Sequence, residues 1–295
     1  MHYTSTPDHQ QMRPKPRVAV SILTLVLVTS CDGHYGQRDA KQIDGVVSLP
    51  AGMTAVRITV PSGNVSVEPS ADERISYEAE VQRSADTAEQ LAALVAIEPR
   101  LRATTGTVPG QLEITGATLP KELDPRQAWI SYRMLVKVPK SLRVELVLGD
   151  GHGSIIGMQG GASIETGHGI LLLKRCLGDA RLRSGKGDLT IDSHRGGIDA
   201  ETGTGKIVAF VDEVREKGVR LVSGNGGIQA HLPRDAAFTL DMRAPEGKLD
   251  ATWQLPIKRE HGGVFMAGAV GGGGPLVYIE SLTGSVSLRA EVPTK

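Results

Sequence analysis

Residues 162–179 read ASIETGHGILLLKRCLGD, and residues 180–197 read ARLRSGKGDLTIDSHRGG. The two lines share one pattern: alternating residues, a hydroxyl, a Gly-x-Gly corner, a short apolar run, then a second glycine-bearing corner. The corner recurs as DGHGSI at 150, TGHGIL at 166, SGKGDL at 184, TGTGKI at 202 and SGNGGI at 223. Its first glycines are Gly151, Gly167, Gly185, Gly203 and Gly224, at intervals of 16, 18, 18 and 21. The second corner is Gly160-Gly161, Gly178-Asp179, Gly196-Gly197 and Lys217-Gly218. Self-similarity at a nearly fixed period marks a repeat architecture.

Columns through the repeats fix the element type. Ala162, Ala180, Ile198 and Val219 stand five residues before the first glycine, and Ile164, Leu182, Ala200 and Leu221 stand three before it. Ser163, Arg181, Asp199 and Arg220 lie between them, followed by Glu165, Arg183 and Glu201. Apolar and polar residues alternate with period two, which means strands. Ile155, Leu171, Leu189, Ile207 and Ile228 form a further inward column after the corner. A unit of about 18 residues cannot bury its own apolar face, so the units stack. Glycine suits the corner because positive φ costs it nothing. Thr166, Ser184, Thr202 and Ser223 are expected to form a hydroxyl ladder, and Glu165, Arg183 and Glu201 alternate in sign down the stack. The expected fold is all-β: a right-handed parallel β-helix or β-solenoid with irregular capping strands.

These TGxGxI repeats, with ITVPSGNVSVEP at 58–69 and GGGGPLVYIESLTGSVSL at 271–288, resemble the bacterial putative-adhesin family over residues 46–293. That is a family of β-solenoids of unassigned function, often secreted or membrane-linked. The resemblance implies fold more sharply than activity.

The flanks repeat less cleanly. Val56–Val67 reads as a first coil turning at Ser62-Gly63-Asn64, 75–81, 111–115 and 130–138 read as strands, and Pro139 with 142–148 leads into the repeats. Ala85–Ile97 reads as a short helix capped by Asp86 and stopped by Pro99. After Pro233 come strand-like 236–243 and 248–255, a glycine-rich loop at 262–274, and a closing coil near Gly284. The divisions expected are a leader at 1–30, a flexible tether at 31–45, an N-terminal β region at 46–148, regular repeats at 149–232, and C-terminal coils with a cap at 233–295.

The leader is read from Arg13, Lys15 and Arg17, the apolar run Val18–Val28, and Val28-Thr29-Ser30-Cys31. Eleven apolar residues are too few to span a bilayer as a helix, which needs about 20, and they fit the core of a secretory signal. Met12 is an alternative start to Met1, since the eleven residues before it add nothing a signal peptide needs. The last four residues resemble the lipobox of bacterial lipoproteins, which implies acylation of Cys31 and a membrane anchor. Asp32 resembles a signal for retention at the inner membrane. Removing 30 residues that hold three bases and Asp8 leaves a formal charge of −2. An acylated Cys31 would leave Cys176 as the only thiol, so no intramolecular disulfide is expected.

Composition narrows the function. The 295 residues carry 33 Lys+Arg and 33 Asp+Glu, with three Phe, two Trp and five Tyr. A neutral chain so poor in aromatics lacks the basic footprint and stacking platforms of a nucleic-acid binder. With 40% apolar residues it can bury a core.

Candidate chemistry is sparse. Asp150, Asp179, Asp188, Asp192, Asp199 and Glu201 fall in different columns, whereas acid-pair hydrolysis needs two carboxylates converging on one bond. His152 and His168 are read as stacked in the corner column with Lys186, Thr204 and Asn225. Zinc needs three or four ligands, and the next residue is a lysine, so a solvated turn ladder is expected. His194 and Asp192 are read as exposed loop residues, and Cys176 as a packed thiol. The GxG corners lie between strands, not before helices, so they are no phosphate loops.

The function read from the sequence is a non-enzymatic, membrane-anchored envelope lipoprotein, periplasm-facing, that presents a solenoid surface for binding or self-association. Partners expected are the membrane through Cys31, an envelope protein or a glycan, and a second copy; no nucleic acid, cofactor or metal is expected. Binding candidates are His152, His168, Lys186, Asn225, Arg181 and Arg183. The alternatives are a polysaccharide-active β-helix enzyme and an envelope signalling accessory.

Overall fold

The computed structural model describes residues 36–99, 101–260 and 263–291. The N-terminal region contains β1 (Gln37–Val47), β2 (Ala55–Pro69), β3 (Ile75–Ala85), α1 (Ala88–Val95), β4 (Arg102–Thr105), β5 (Gln111–Thr115) and β6 (Ala128–Val138). Five two-strand coils follow: β7 (Arg143–Asp150) with β8 (Gly153–Ile156), β9 (Ala162–His168) with β10 (Leu171–Lys174), β11 (Ala180–Lys186) with β12 (Leu189–Arg195), β13 (Ile198–Thr204) with β14 (Ile207–Glu213), and β15 (Val219–Asn225) with β16 (Ile228–Pro233). The C-terminal region holds β17 (Phe238–Ala244), β18 (Leu249–Ala251), β19 (Ile257–Glu260), β20 (Gly263–Val270), β21 (Leu276–Ser281) and β22 (Val286–Glu291).

The first strand of every coil pairs in parallel with its equivalent in the next, forming a back sheet. The second strands form a front sheet in the same way. The chain is therefore a β-solenoid with two parallel faces and a shared core. Val144, Ala162, Ala180, Ile198 and Val219 stack in one back column, and all are buried. Strand β2 serves both sheets: 55–62 pairs with β7, and 65–67 pairs with β8.

The corner explains the period. Gly151, Gly169, Gly187, Gly205 and Gly226 all have φ between +124 and +150. A Cβ on Gly169 would lie 1.8 Å from the carbonyl oxygen of Gly151 one coil earlier, and one on Gly187 would lie 1.9 Å from that of Gly169. Conformation and crowding both demand glycine there. The Thr/Ser column completes the joint without forming the expected hydroxyl ladder. Each hydroxyl donates instead to a corner carbonyl one coil back: Ser184 to Gly169 at 3.3 Å, Thr202 to Gly187 at 2.9 Å and Ser223 to Gly205 at 2.9 Å. All three residues are buried, so the bonds satisfy polar groups that water does not reach.

The first repeat is two residues out of its expected register. His168 pairs with Asp150, and Leu171 with Gly153. Gly149, not Gly151, is the equivalent of Gly167, which restores an 18-residue interval. His152 leaves the column of His168, and Ile155 stacks on Leu173 instead of Leu171. Gly153 takes the inward place because a Cβ there would meet Ile164 Cγ2 at 2.8 Å. The chance motif GHG at both sites hid the true alignment.

Both ends are built by the chain overshooting and returning. Strand β6 lies outside β2 in the front sheet and β5 outside it in the back sheet; β7 and β8 then pair on the inner side of β2. At the other end, β21 and β22 slot between β15–β16 and β17–β18. The outer strands are largely antiparallel, as in β3–β6, β1–β3 and β17–β20.

Three further expectations change. Residues 37–45, expected to belong to the tether at 31–45, lie in β1, which pairs with β3 over its whole length. Polarity misled because an edge strand has one solvated face and one unpaired edge. Helix α1 is Ala88–Val95, and its cap is Thr87 with a capping box to Gln90, not Asp86. The glycine-rich loop shrinks to the turn Gly271–Gly274, four successive positive φ values, because 264–270 pair with β17. Cys31 and the leader lie outside the described residues.

Candidate functional site

The front face carries a trough of about 610 Å³ across β3, β6, β2, β8 and β10. Its floor follows from one register row: Glu78, Leu135, Ser66, Ser154 and Leu172 lie side by side across the strands. Two short serines stand between two leucines, and that difference in height is the trough. Ser154 Oγ donates to Ser66 Oγ at 2.9 Å, so the floor satisfies its own hydroxyls. Ile170, half exposed, closes the corner side.

The opposite rim is acidic. Arg133 Nη1 donates to Glu80 Oε2 at 3.3 Å. Glu78 faces Asp44 directly across β1–β3, and neither pairs with a cation among the described residues. Like charges opposed across strands are mildly destabilising. A positive group brought to this rim would relieve that repulsion.

Of the sequence-derived candidates, only His152 lines the trough. Its Nδ1 accepts the backbone N–H of Ile170 at 2.9 Å. His168, Lys186 and Asn225 share the corner column with Asp150 and Thr204, away from the trough. There His168 Nδ1 lies 2.6 Å from Asp150 Oδ1, and Asn225 Oδ1 accepts from Thr283 at 2.8 Å. The trough itself was missed, because its row crosses five strands that are remote in sequence.

Arg181 and Arg183 lie on the back face. Arg183 bonds Asp199, and Arg220 Nη1 is 3.0 Å from both Asp199 and Glu201. Two cations and two carboxylates close on themselves. Burial pushes the Asp199 carboxyl up, but Arg183 and Arg220 override this and hold it below its usual range. An acid held ionised is the opposite of a general acid. Arg181 stands outside the cluster with no ion pair among the described residues.

Cys176 is buried, with Sγ donating to Lys174 O at 3.3 Å, and burial pushes its thiol pKa up. It is a packed thiol, since the reactive form is the thiolate. Lys174, its basic neighbour, is committed to Asp192 at 2.6 Å. His194 reverses its expectation: it is fully buried, not an exposed loop residue. Among the described residues no three His, Cys, Asp or Glu side chains are placed to hold a metal, and no helix is long and apolar enough to cross a membrane.

No protein-family model and no curated protein matches the chain. Solved structures do align with it. A protein described as a "putative cell adhesion protein" from Clostridium sporogenes is 14% identical, covering 85% of this chain and 100% of its own, with a TM-score of 0.34. A "putative adhesin" from Bacteroides fragilis is 11% identical, covering 84% of this chain and 97% of its own, with a TM-score of 0.38. The fold described above rests on the chain's own strand register.

Proposed function

We propose that this chain is a lipid-anchored protein of the bacterial cell envelope that binds an extended partner in the front-face trough and catalyses no reaction. The observation that carries the reading is the contrast between the two faces. The back face closes Arg183, Arg220, Asp199 and Glu201 on one another and leaves Arg181 as an isolated exposed charge, whereas the front face leaves Leu135, Leu172 and Ile170 beside an acidic rim with uncompensated Glu78 and Asp44. An extended protein segment with apolar side chains and a cation at its edge complements that surface better than a neutral glycan does.

The anchor in this reading is Cys31, with the periplasm as compartment and the inner membrane favoured by Asp32. Strand β1 begins six residues later, and six extended residues span at most about 20 Å. Acylation would thus hold the N-terminal cap, and the trough beside it, near the bilayer.

Crosslinking in living cells followed by affinity capture tests the binding. Leu172→Glu should abolish specific capture, while Arg181→Ala with Arg183→Ala should leave it intact. The reverse pattern would move the site to the back face. Separately, Cys31→Ala should abolish acyl-chain labelling and release the chain from membranes; unchanged retention would sink the anchor.

A further inference from the structure

We propose that His194 is a proton-operated latch on the corner joining β12 to β13. Neutral, it packs as a core residue; protonated, it opens the corner and frees the loop lying over it.

The position is an apolar one. His194 pairs with Val211 on the next coil, and the adjoining bridge of Leu177 to Arg195 sets Cys176 beside it on the coil before. Its neighbours in the inward column are thus a buried thiol and a buried valine. Among the described residues neither ring nitrogen makes a hydrogen bond of good geometry, although backbone groups of Gly178, Gly197 and Cys176 lie beside it. Buried polar groups without partners are rare enough that each needs an explanation. A β-bulge produces this one. From Ile191 to His194 is three residues, but the partner strand advances only two, from Ala209 to Val211. Ser193, with φ +55, absorbs the extra residue and turns the imidazole inward.

The surroundings decide what a proton does. Cys176 is neutral, since burial raises its pKa. Asp192 is held by Lys174, Arg195 lies 3.6 Å from Asp212, and Glu213 is held by Arg215. Asp179 is the charge that acts on the ring, and its Oδ2 lies 2.5 Å from Lys217 Nζ. Burial nevertheless dominates and lowers the imidazole pKa. The backbone groups beside the ring belong to Gly178, Gly197 and Cys176. Two of their carbonyls already join coils: Ala180 N–H donates to Gly197 O at 2.8 Å, and Arg195 N–H donates to Cys176 O at 3.2 Å. An imidazolium must compete for these acceptors and for Asp179, or move to water. Water is close: a cleft of about 570 Å³ lies over Gly178, Gly196 and Gly197, roofed by 213–217. The Lys217–Asp179 pair fastens that roof, so the group that attracts the proton also holds the loop.

Cys176 reports the opening. In a full-length Cys31→Ala chain it is the only thiol. Its labelling by dithiodipyridine is followed at about pH 7.5 and about pH 5, each rate divided by that of the urea-unfolded chain at the same pH. An open state whose imidazole has the ordinary pKa of 6.5 implies up to about thirty-fold faster relative labelling at the lower pH. His194→Leu should abolish the difference, and His168→Gln, altering an exposed histidine, should keep it. A pH effect that survives in His194→Leu, or no effect in the parent chain, overturns the latch. Should the leucine variant not fold, the His194 ring is titrated by NMR in the parent chain. Titration well below 6.5 together with loss of Cys176 protection supports the latch; titration near 6.5 with Cys176 still protected overturns it.

Discussion

Asp39 sits in a stretch whose composition suggests unstructured linker, and the structure makes it the fastener of the N-terminal edge. Its Oδ2 lies 2.7 Å from Arg83 Nη1, and the two side chains are 9% and 3% exposed. Arg83 also donates to Ile97 O at 3.0 Å, tying β3 to the end of the segment that follows α1. Asp39→Ala removes the counter-ion and leaves a guanidinium in a place water does not reach. Breaking a buried pair from one side costs about 3–5 kcal/mol. The surviving bond to Ile97 argues for the lower end, so about 3 kcal/mol is expected. In a solenoid each coil contacts only its neighbours, so the loss should stay local. Global melting is then a poor assay, and amide exchange resolved to β1 and β3 is the right one. At 1.36 kcal/mol per decade, about 3 kcal/mol is a protection loss of roughly 150-fold in β1. Amides of β11 to β14 should be unchanged. Asp44→Ala, on the same strand but exposed and unpaired, should change protection less than about three-fold. A loss below about five-fold for Asp39→Ala would refute the reasoning, because β1 would then be held by its backbone ladder alone.

Other expectations concern the stack itself. Ile198→Asp places a carboxylate in a column where the native side chain is 3% exposed. No cation can reach it, so the variant should lose more than about 4 kcal/mol by denaturant titration; a normal transition would mean the columns are misassigned. Gly169→Ala sets a Cβ 1.8 Å from a carbonyl oxygen at φ +149 and should prevent accumulation of soluble folded chain, whereas Gly52→Ala, with open space around it, should cost less than about 2 kcal/mol. Burial and Glu280 push the Tyr278 hydroxyl up to about 12. Above about pH 10 the unfolded chain ionises this tyrosine while the folded chain keeps its proton. Stability should therefore fall as pH rises from 10 toward 12, and Tyr278→Phe should flatten that fall in melts followed across the range.

The coils were legible because their physics is local. Strand alternation, the corner glycine and the hydroxyl before it all sit within one 18-residue unit, and five copies reinforce each other. What failed was non-local or accidental. The GHG at 151–153 matches the GHG at 167–169 by eye, but only strand pairing shows that Asp150, not His152, stands on His168. His194 was misplaced because period-two counting from Ile191 turns Ser193 inward, and a single-residue bulge reverses that parity without any signal in composition. The overshoot at each end was invisible for another reason. Nothing in residues 276–291 says that they pair with β15 and β16 ahead of the strands that precede them in the chain. The trough belongs to the same class, assembled from side chains whose nearness is created only by the stack.

These elements also decide which surfaces are open to a partner. Among the described residues the two sheets end on four edges, and three of them are short: β4 and β19 have four residues each and β18 has three. Strand β1, with eleven, is long enough to template another strand. Yet its inner face carries Asp39, committed to Arg83, and Lys41, which is exposed. Inward-pointing charge on an edge is a recognised defence against strand addition. A second copy pairing there would have to bury Lys41 or break the Asp39–Arg83 bond, so edge-to-edge growth is disfavoured at both ends. Association must then use a face. On the back face Arg183, Arg220, Asp199 and Glu201 are already neutralised in contact with one another, so an incoming group would have to displace one of those pairs or settle for an isolated charge such as Arg181. The front trough asks for no such exchange: its serines are satisfied, its leucines are uncovered, and its free carboxylates repel each other until a cation arrives. On that ground the proposed partner is expected on the front sheet, beside the N-terminal cap, where the proposed lipid at Cys31 would hold it close to the membrane.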